Sequence, residues 1–97
     1  MTRLYLTSPA NQDYSDTVAW YERKQCGLGQ IFESELSKLF DRIQKHPEQF
    51  PEFVPTVRRG ILPKFHHKIY FTVAGDQIAV LAIYHPSRNP GGLRKRF

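Results

Sequence analysis

Arginine and histidine carry most of the chemistry this 97-residue chain can offer. An unperturbed histidine titrates near neutrality and can give or take a proton. His85 is the one best placed by spacing, since Arg88 follows three residues later. Arg58 and Arg59 are neighbours, and strand alternation sends neighbours to opposite sides. One of them therefore faces a sheet surface, where a guanidinium can bind phosphate or pair with a carboxylate. Lys64 and His67 complete the group. A plainer reading stays open, in which His85 ends a strand at the solvent and the arginines solubilise an edge. His66-His67 is not read as a metal site, because strand neighbours diverge and no third ligand is spaced to join them. Cys26 precedes Gly27 at a helix C-terminus, where the negative end of the dipole disfavours a thiolate. It is read as a small, partly buried residue, and no cofactor or metal is expected.

The elements that must position these side chains follow from periodicity and punctuation. Arg3 to Thr7 has the length and composition of a strand, and Ser8-Pro9 offers a helix N-cap with proline at the first helical position. Ala10, Tyr14, Val18 and Tyr21 then recur on one helical stripe, with Trp20 at its margin, serving either core or interface. Gly27-Leu28-Gly29 breaks the pattern. A second stripe, Phe32, Leu36, Leu39, Phe40 and Ile43, runs until Pro47 stops it, giving an αα-hairpin. Pro47, Pro51 and Pro55 make the next segment an extended connector pinned by Phe50 and Phe53. Val57 to Leu62, His67 to Val73 and Gln77 to Tyr84 read as strands, the last two joined by a tight turn at Ala74-Gly75-Asp76. Ile69, Phe71 and Val73 share a face opposite Tyr70 and Thr72, while the last strand is apolar on both faces. The fold class predicted is α+β, a helical hairpin on a small, mostly antiparallel sheet in the order β-α-α-β-β-β. The helices cover one face of that sheet, and the other is expected to be left for something else.

Length and charge bound the rest. Ninety-seven residues support a single domain, spanning 1–97, and thirteen aromatic residues argue for a packed core. The tail, residues 86–97, is rich in Pro, Gly and Arg and reads as poorly ordered by itself. Residues 1–57 carry six basic and eight acidic groups, a net of −2, whereas residues 58–97 carry eight basic groups against Asp76 alone, a net of +7. That asymmetry points to a polyanion or an acidic protein partner. The N-terminal stretch lacks the apolar run of a signal peptide, and Ile78 to Tyr84 is far short of a membrane span. A cytoplasmic protein away from the membrane is expected.

Ala19 to Glu22 (AWYE), the Gly-Leu-Gly turn, the FPEF connector, Arg58 to Leu62 leading into Lys64-Phe65 and Ile69-Tyr70-Phe71, then Val80 to His85 with Arg88-Asn89-Pro90, resemble the ParE/RelE superfamily of bacterial toxins. The order and spacing of these pieces cover roughly residues 3–90, and the likeness is closer to the ParE-like, plasmid-stabilisation branch. It implies a type II toxin neutralised by a cognate antitoxin that wraps the toxin as a helix and a strand. Operator DNA would be met only through that antitoxin. The ParE-like branch implies growth arrest by binding DNA gyrase, with no chemistry by the toxin. The RelE-like branch implies ribosome-dependent cleavage of mRNA, and an inactive relative that only partners the antitoxin is a third reading. Cleavage needs an acid, a base and cations, for which His85, Arg88, Arg58 and Arg59 are the candidates. Arg58, Arg59, Lys64, Tyr70, Arg88 and Arg94 are the candidates for binding antitoxin or target. The RelE-like pattern also expects paired lysines before the second strand and a tyrosine after the last arginine. Gln49, Glu52 and Phe97 depart from it.

Overall fold

A computed structural model describes residues 2–88, 92, 93 and 96. Strand β1 (Arg3–Leu6) hands directly to helix α1 (Ser8–Lys24). The N-cap is Thr7, one residue before the expected Ser8, because its hydroxyl accepts from the Ala10 N–H and also donates to Val80 O. One side chain thus ties the start of the helix to the sheet. Helix α2 (Leu28–Lys45) returns antiparallel after a turn in which Gly27 is left-handed at φ 87°. The Glu22 carboxylate closes that turn, accepting from the N–H groups of Gly27 at 2.8 Å and Gly29 at 3.0 Å. Gly29 must be small: a Cβ there would lie 2.9 Å from both Val18 O and Glu22 Oε1. Tyr14 on α1 donates to Glu33 on α2, and its phenol is pushed up to about 12, first by burial and then by that carboxylate.

The proline-rich connector is more ordered than its composition predicts. After one turn of 3-10 helix at Pro47–Gln49 it forms strand β2 (Glu52–Val54), which pairs at the sheet edge with β3 (Val57–Ile61). Pro51 and Pro55 flank β2, so neither removes a donor from its interior. Strands β4 (Lys68–Ala74) and β5 (Gln77–Tyr84) form the central hairpin around Gly75-Asp76. The sheet order is β1-β5-β4-β3-β2, with β1 parallel to β5 and every other pair antiparallel. The expected α+β fold class holds, with β2 as an additional short strand.

Both stripes pack as expected on one sheet face, Phe32, Leu36, Leu39 and Ile43 of α2 meeting Ile69, Phe71, Ile78 and Val80. Val73, on the same side, lies beyond this core and is 41% exposed. A register shift between Tyr70 and Phe71 leaves Leu81 as an extra residue in β5. After this bulge Ala82 and Tyr84 point away from the helices while Ile83 points toward them.

The second face departs from the expected vacancy. Tyr70 and Tyr84 are fully buried there with Leu93, and Phe53 and Val54 pack alongside. Leu93 and Arg96 come from the tail. Arg96 lies over the Tyr84 ring and donates to Asp13 of α1 and to Leu81 O. The physical reason is that two adjacent tyrosine rings make an apolar surface, which the tail's one aliphatic side chain and an arginine stem remove from water. Tyr70 keeps one cost: its hydroxyl has no hydrogen-bond partner among the described residues. Tyr70→Phe is therefore expected to raise the unfolding free energy by about 1–2 kcal/mol, measured by urea titration. A loss of stability would show that the hydroxyl has a partner.

Candidate functional site

The end of β5 and the start of β4 meet the flank of α1, and a cavity of about 240 Å³ lies there, lined by Asp16, Thr17, Trp20, His67 and His85. Asp16, Thr17 and Trp20 share a helical face through their i, i+1, i+4 spacing. The rings of His67 and His85 meet edge to face with centroids 5.3 Å apart, and Trp20 meets His85 in the same way at 6.1 Å. Trp20 is 40% exposed, and Lys24 Nζ lies 4.8 Å from the centre of its ring. Trp20 thus serves the surface.

The two histidines differ in environment. His67 is 1% exposed, between Tyr21 and Phe32, and its Nδ1 faces Phe65 O at 3.3 Å. A carbonyl only accepts, so Nδ1 carries the hydrogen and Nε2 is left as an acceptor. Burial pushes the imidazole down to about 4, against the smaller opposing effect of the Phe65 carbonyl. His85 is exposed, and its Nδ1 accepts from the Ser87 N–H at 3.1 Å. Its neutral ring therefore carries the hydrogen on Nε2.

Depression of His67 fixes a pH dependence. Below pH 6.5 an unfolded chain takes up a proton on this imidazole, whereas the native state refuses it until about pH 4. Stability from this group is thus complete above pH 6.5 and falls as pH drops from 6.5 to 4, by about 3 kcal/mol in total. Urea midpoints at pH 7, 6, 5 and 4 for the wild type and His67→Leu provide the measurement. The stability gap between the two is expected to shift toward the variant on acidification. A gap constant with pH would show that the native state tolerates the charge.

The four residues proposed for proton transfer and charge neutralisation are not gathered in one place. Arg58 is on the helix side of β3, donating to Phe50 O at 2.6 Å. Arg59 points to the opposite side, 5.7 Å from the Phe53 ring centre, as alternation requires. His85 turns to the α1 cavity while Arg88 lies 4.2 Å over the Tyr84 ring on the second face. Among the binding candidates, Lys64 pairs with Glu35 at 3.2 Å, Tyr70 is fully buried, and Arg94 falls outside the described residues, as do Asn89 and Pro90. Cys26 is exposed in the interhelical turn instead of partly buried, because the chain has already left α1. Among the described residues no group of three or more His, Cys, Asp or Glu side chains could hold a metal ion, and no helix is long and apolar enough to cross a membrane.

Sequence reasoning did not assemble the cavity. Its signal was the α1 face Asp16, Thr17 and Trp20, which reads as solvated until β5 is placed beside it. The second face, by contrast, gathers cations: Arg3 of β1 points there beside Tyr5, opposite Leu4 and Leu6, together with Arg59, Lys68 and Arg88.

The helical hairpin on a mostly antiparallel sheet in this strand order is a ParE-like α+β fold. The chain superposes with a TM-score of 0.76 on a chain of the chromosomal ParDE TA system from P. aeruginosa, at 22% identity, over 88% of this chain and 96% of that one. No family model and no curated protein matches the sequence.

Proposed function

We propose that this chain is the toxin of a type II toxin–antitoxin module, ParE-like, acting in the cytoplasm by binding DNA gyrase and neutralised by a cognate antitoxin. The observation that carries this reading is the likeness of fold, over nearly the whole of both chains, to a component of a ParDE system. The dispersal of His85, Arg58, Arg59 and Arg88 favours binding over catalysis, because an acid–base reaction needs its groups converging on one phosphate. The second face supports an acidic partner. Arg59 and Arg88 lie across aromatic rings, which limits their freedom before any carboxylate arrives. With Leu93 and Arg96 already on that face, the antitoxin meets a cationic rim around a covered centre, not a bare sheet.

The test is induced expression alone and with the product of the adjacent gene. Growth arrest relieved by co-expression, co-purification of the two chains, and inhibition of supercoiling by the purified toxin are expected. Arg59→Glu with Arg88→Glu is expected to weaken capture of the antitoxin. Messenger cleavage requiring ribosomes would replace the gyrase reading with the endoribonuclease one. Harmless expression with intact antitoxin binding would leave only the role of antitoxin partner.

A further inference from the structure

We propose that the cavity between α1 and the end of β5 is a receptor for an arginine side chain presented by a partner protein. The inference does not rest on the toxin reading. Asp16 supplies the one carboxylate among the five lining residues, and none of the five is lysine or arginine. Lys24, which is not a lining residue, lies over the Trp20 ring. An anion entering here would meet the Asp16 carboxylate with no lysine or arginine among the lining residues, whereas a cation is matched. The cavity is also built of flat walls. Trp20 and His85 stand at 78° to one another, and His67 and His85 at 81°. A planar, weakly hydrated guanidinium suits such walls better than a compact ammonium. Its hydrogen-bonding is donor-only, and the lining offers acceptors in the Asp16 carboxylate, whose Oδ1 already accepts from Gln12 at 2.8 Å, and in the Thr17 hydroxyl.

The occupant is a residue within a chain, not the free amino acid. Free arginine carries an α-carboxylate, and the lining holds no lysine or arginine to receive it. The molecule's own Arg58, Arg59, Arg88 and Arg96 are engaged elsewhere, on Phe50 O, Phe53, Tyr84 and Asp13. Among the described residues no arginine lines the cavity, and the guest assigned here comes from a second protein.

Trp20 is the sole tryptophan, so its fluorescence reports occupancy of the full-length chain directly. N-acetyl-arginine amide is expected to give a saturable change with a Kd on the order of 1–10 mM, as befits a single side chain. N-acetyl-lysine amide and free arginine should bind about threefold or more weakly, and uridine or adenosine monophosphate should leave the signal unchanged. Asp16→Asn, whose position is exposed, should weaken the arginine amide about tenfold with an unaltered thermal midpoint. Saturable binding of a nucleotide, equal binding to Asp16→Asn, or no saturation by the arginine amide would each overturn the proposal.

Discussion

Asp13→Ala is expected to lower the unfolding free energy by about 3 kcal/mol, which for a chain of this length shifts the thermal midpoint by roughly 15 °C. The effect is large because one carboxylate serves three elements. Strand β1 accompanies β5 only as far as Val80, so the edge of β5 beyond it would otherwise be open. Asp13 Oδ2 accepts from the Ile83 N–H at 3.0 Å and from Arg96 Nη1 at 2.6 Å, and Arg96 donates in turn to Leu81 O at 3.2 Å. The pair is largely shielded, with the arginine side chain 19% and the aspartate 11% exposed. Removing the carboxylate leaves the Ile83 N–H without a partner and a shielded guanidinium held only by Leu81 O and the Tyr84 ring. Arg96→Ala should cost less, about 1–2 kcal/mol, because Asp13 keeps its bond to Ile83. The double variant should be less destabilised than the sum of the singles by about 1 kcal/mol or more. Urea titrations of the four proteins decide this. Additive effects would show that the tail is not latched to α1 through this pair.

That latch also marks the boundary of what the sequence makes legible. The stripe Ala10, Tyr14, Val18 and Tyr21 identifies the buried side of α1 because each residue is one turn from the next. The apolar run from Ile78 to Tyr84 identifies a strand covered on both faces, and Gly75-Asp76 its turn. These are local signals. Asp13 and Arg96 are 83 residues apart, and nothing in either neighbourhood specifies the pairing. The tail looks unstructured because Leu93 is its one aliphatic side chain, yet a single leucine suffices when the surface to be covered is two tyrosine rings. The cavity is hidden for a related reason. Asp16 and Trp20 sit on the polar side of an amphipathic helix, and only the crossing of α1 over β5 brings His67 and His85 beside them.

Phe32→Ala should be the most damaging single truncation tied to that cavity, with a loss of about 4 kcal/mol. Phe32 is fully buried and its ring touches three others: Tyr21 at 5.3 Å, Phe65 at 5.3 Å and His67 at 5.2 Å between centroids. Tyr21 comes from α1, Phe65 and His67 from the loop before β4, so one side chain from α2 fixes the third wall of the cavity. Truncation removes the transfer free energy of the ring and leaves a void that these aromatic neighbours fill only by tilting. It should also admit water beside His67. Since burial is the main cause that depresses that imidazole, its titration should move back toward 6.5, and the acid destabilisation between pH 6.5 and 4 should shrink. Phe32→Leu, which keeps most of the volume, should cost about 1–2 kcal/mol and retain the acid sensitivity. Denaturant titrations at pH 7 and pH 5 separate the two effects, and histidine proton resonances followed through the same range report the imidazole directly. A variant that loses stability while His67 still resists protonation would mean that the ring is shielded by Tyr21 and Phe65 without the help of Phe32.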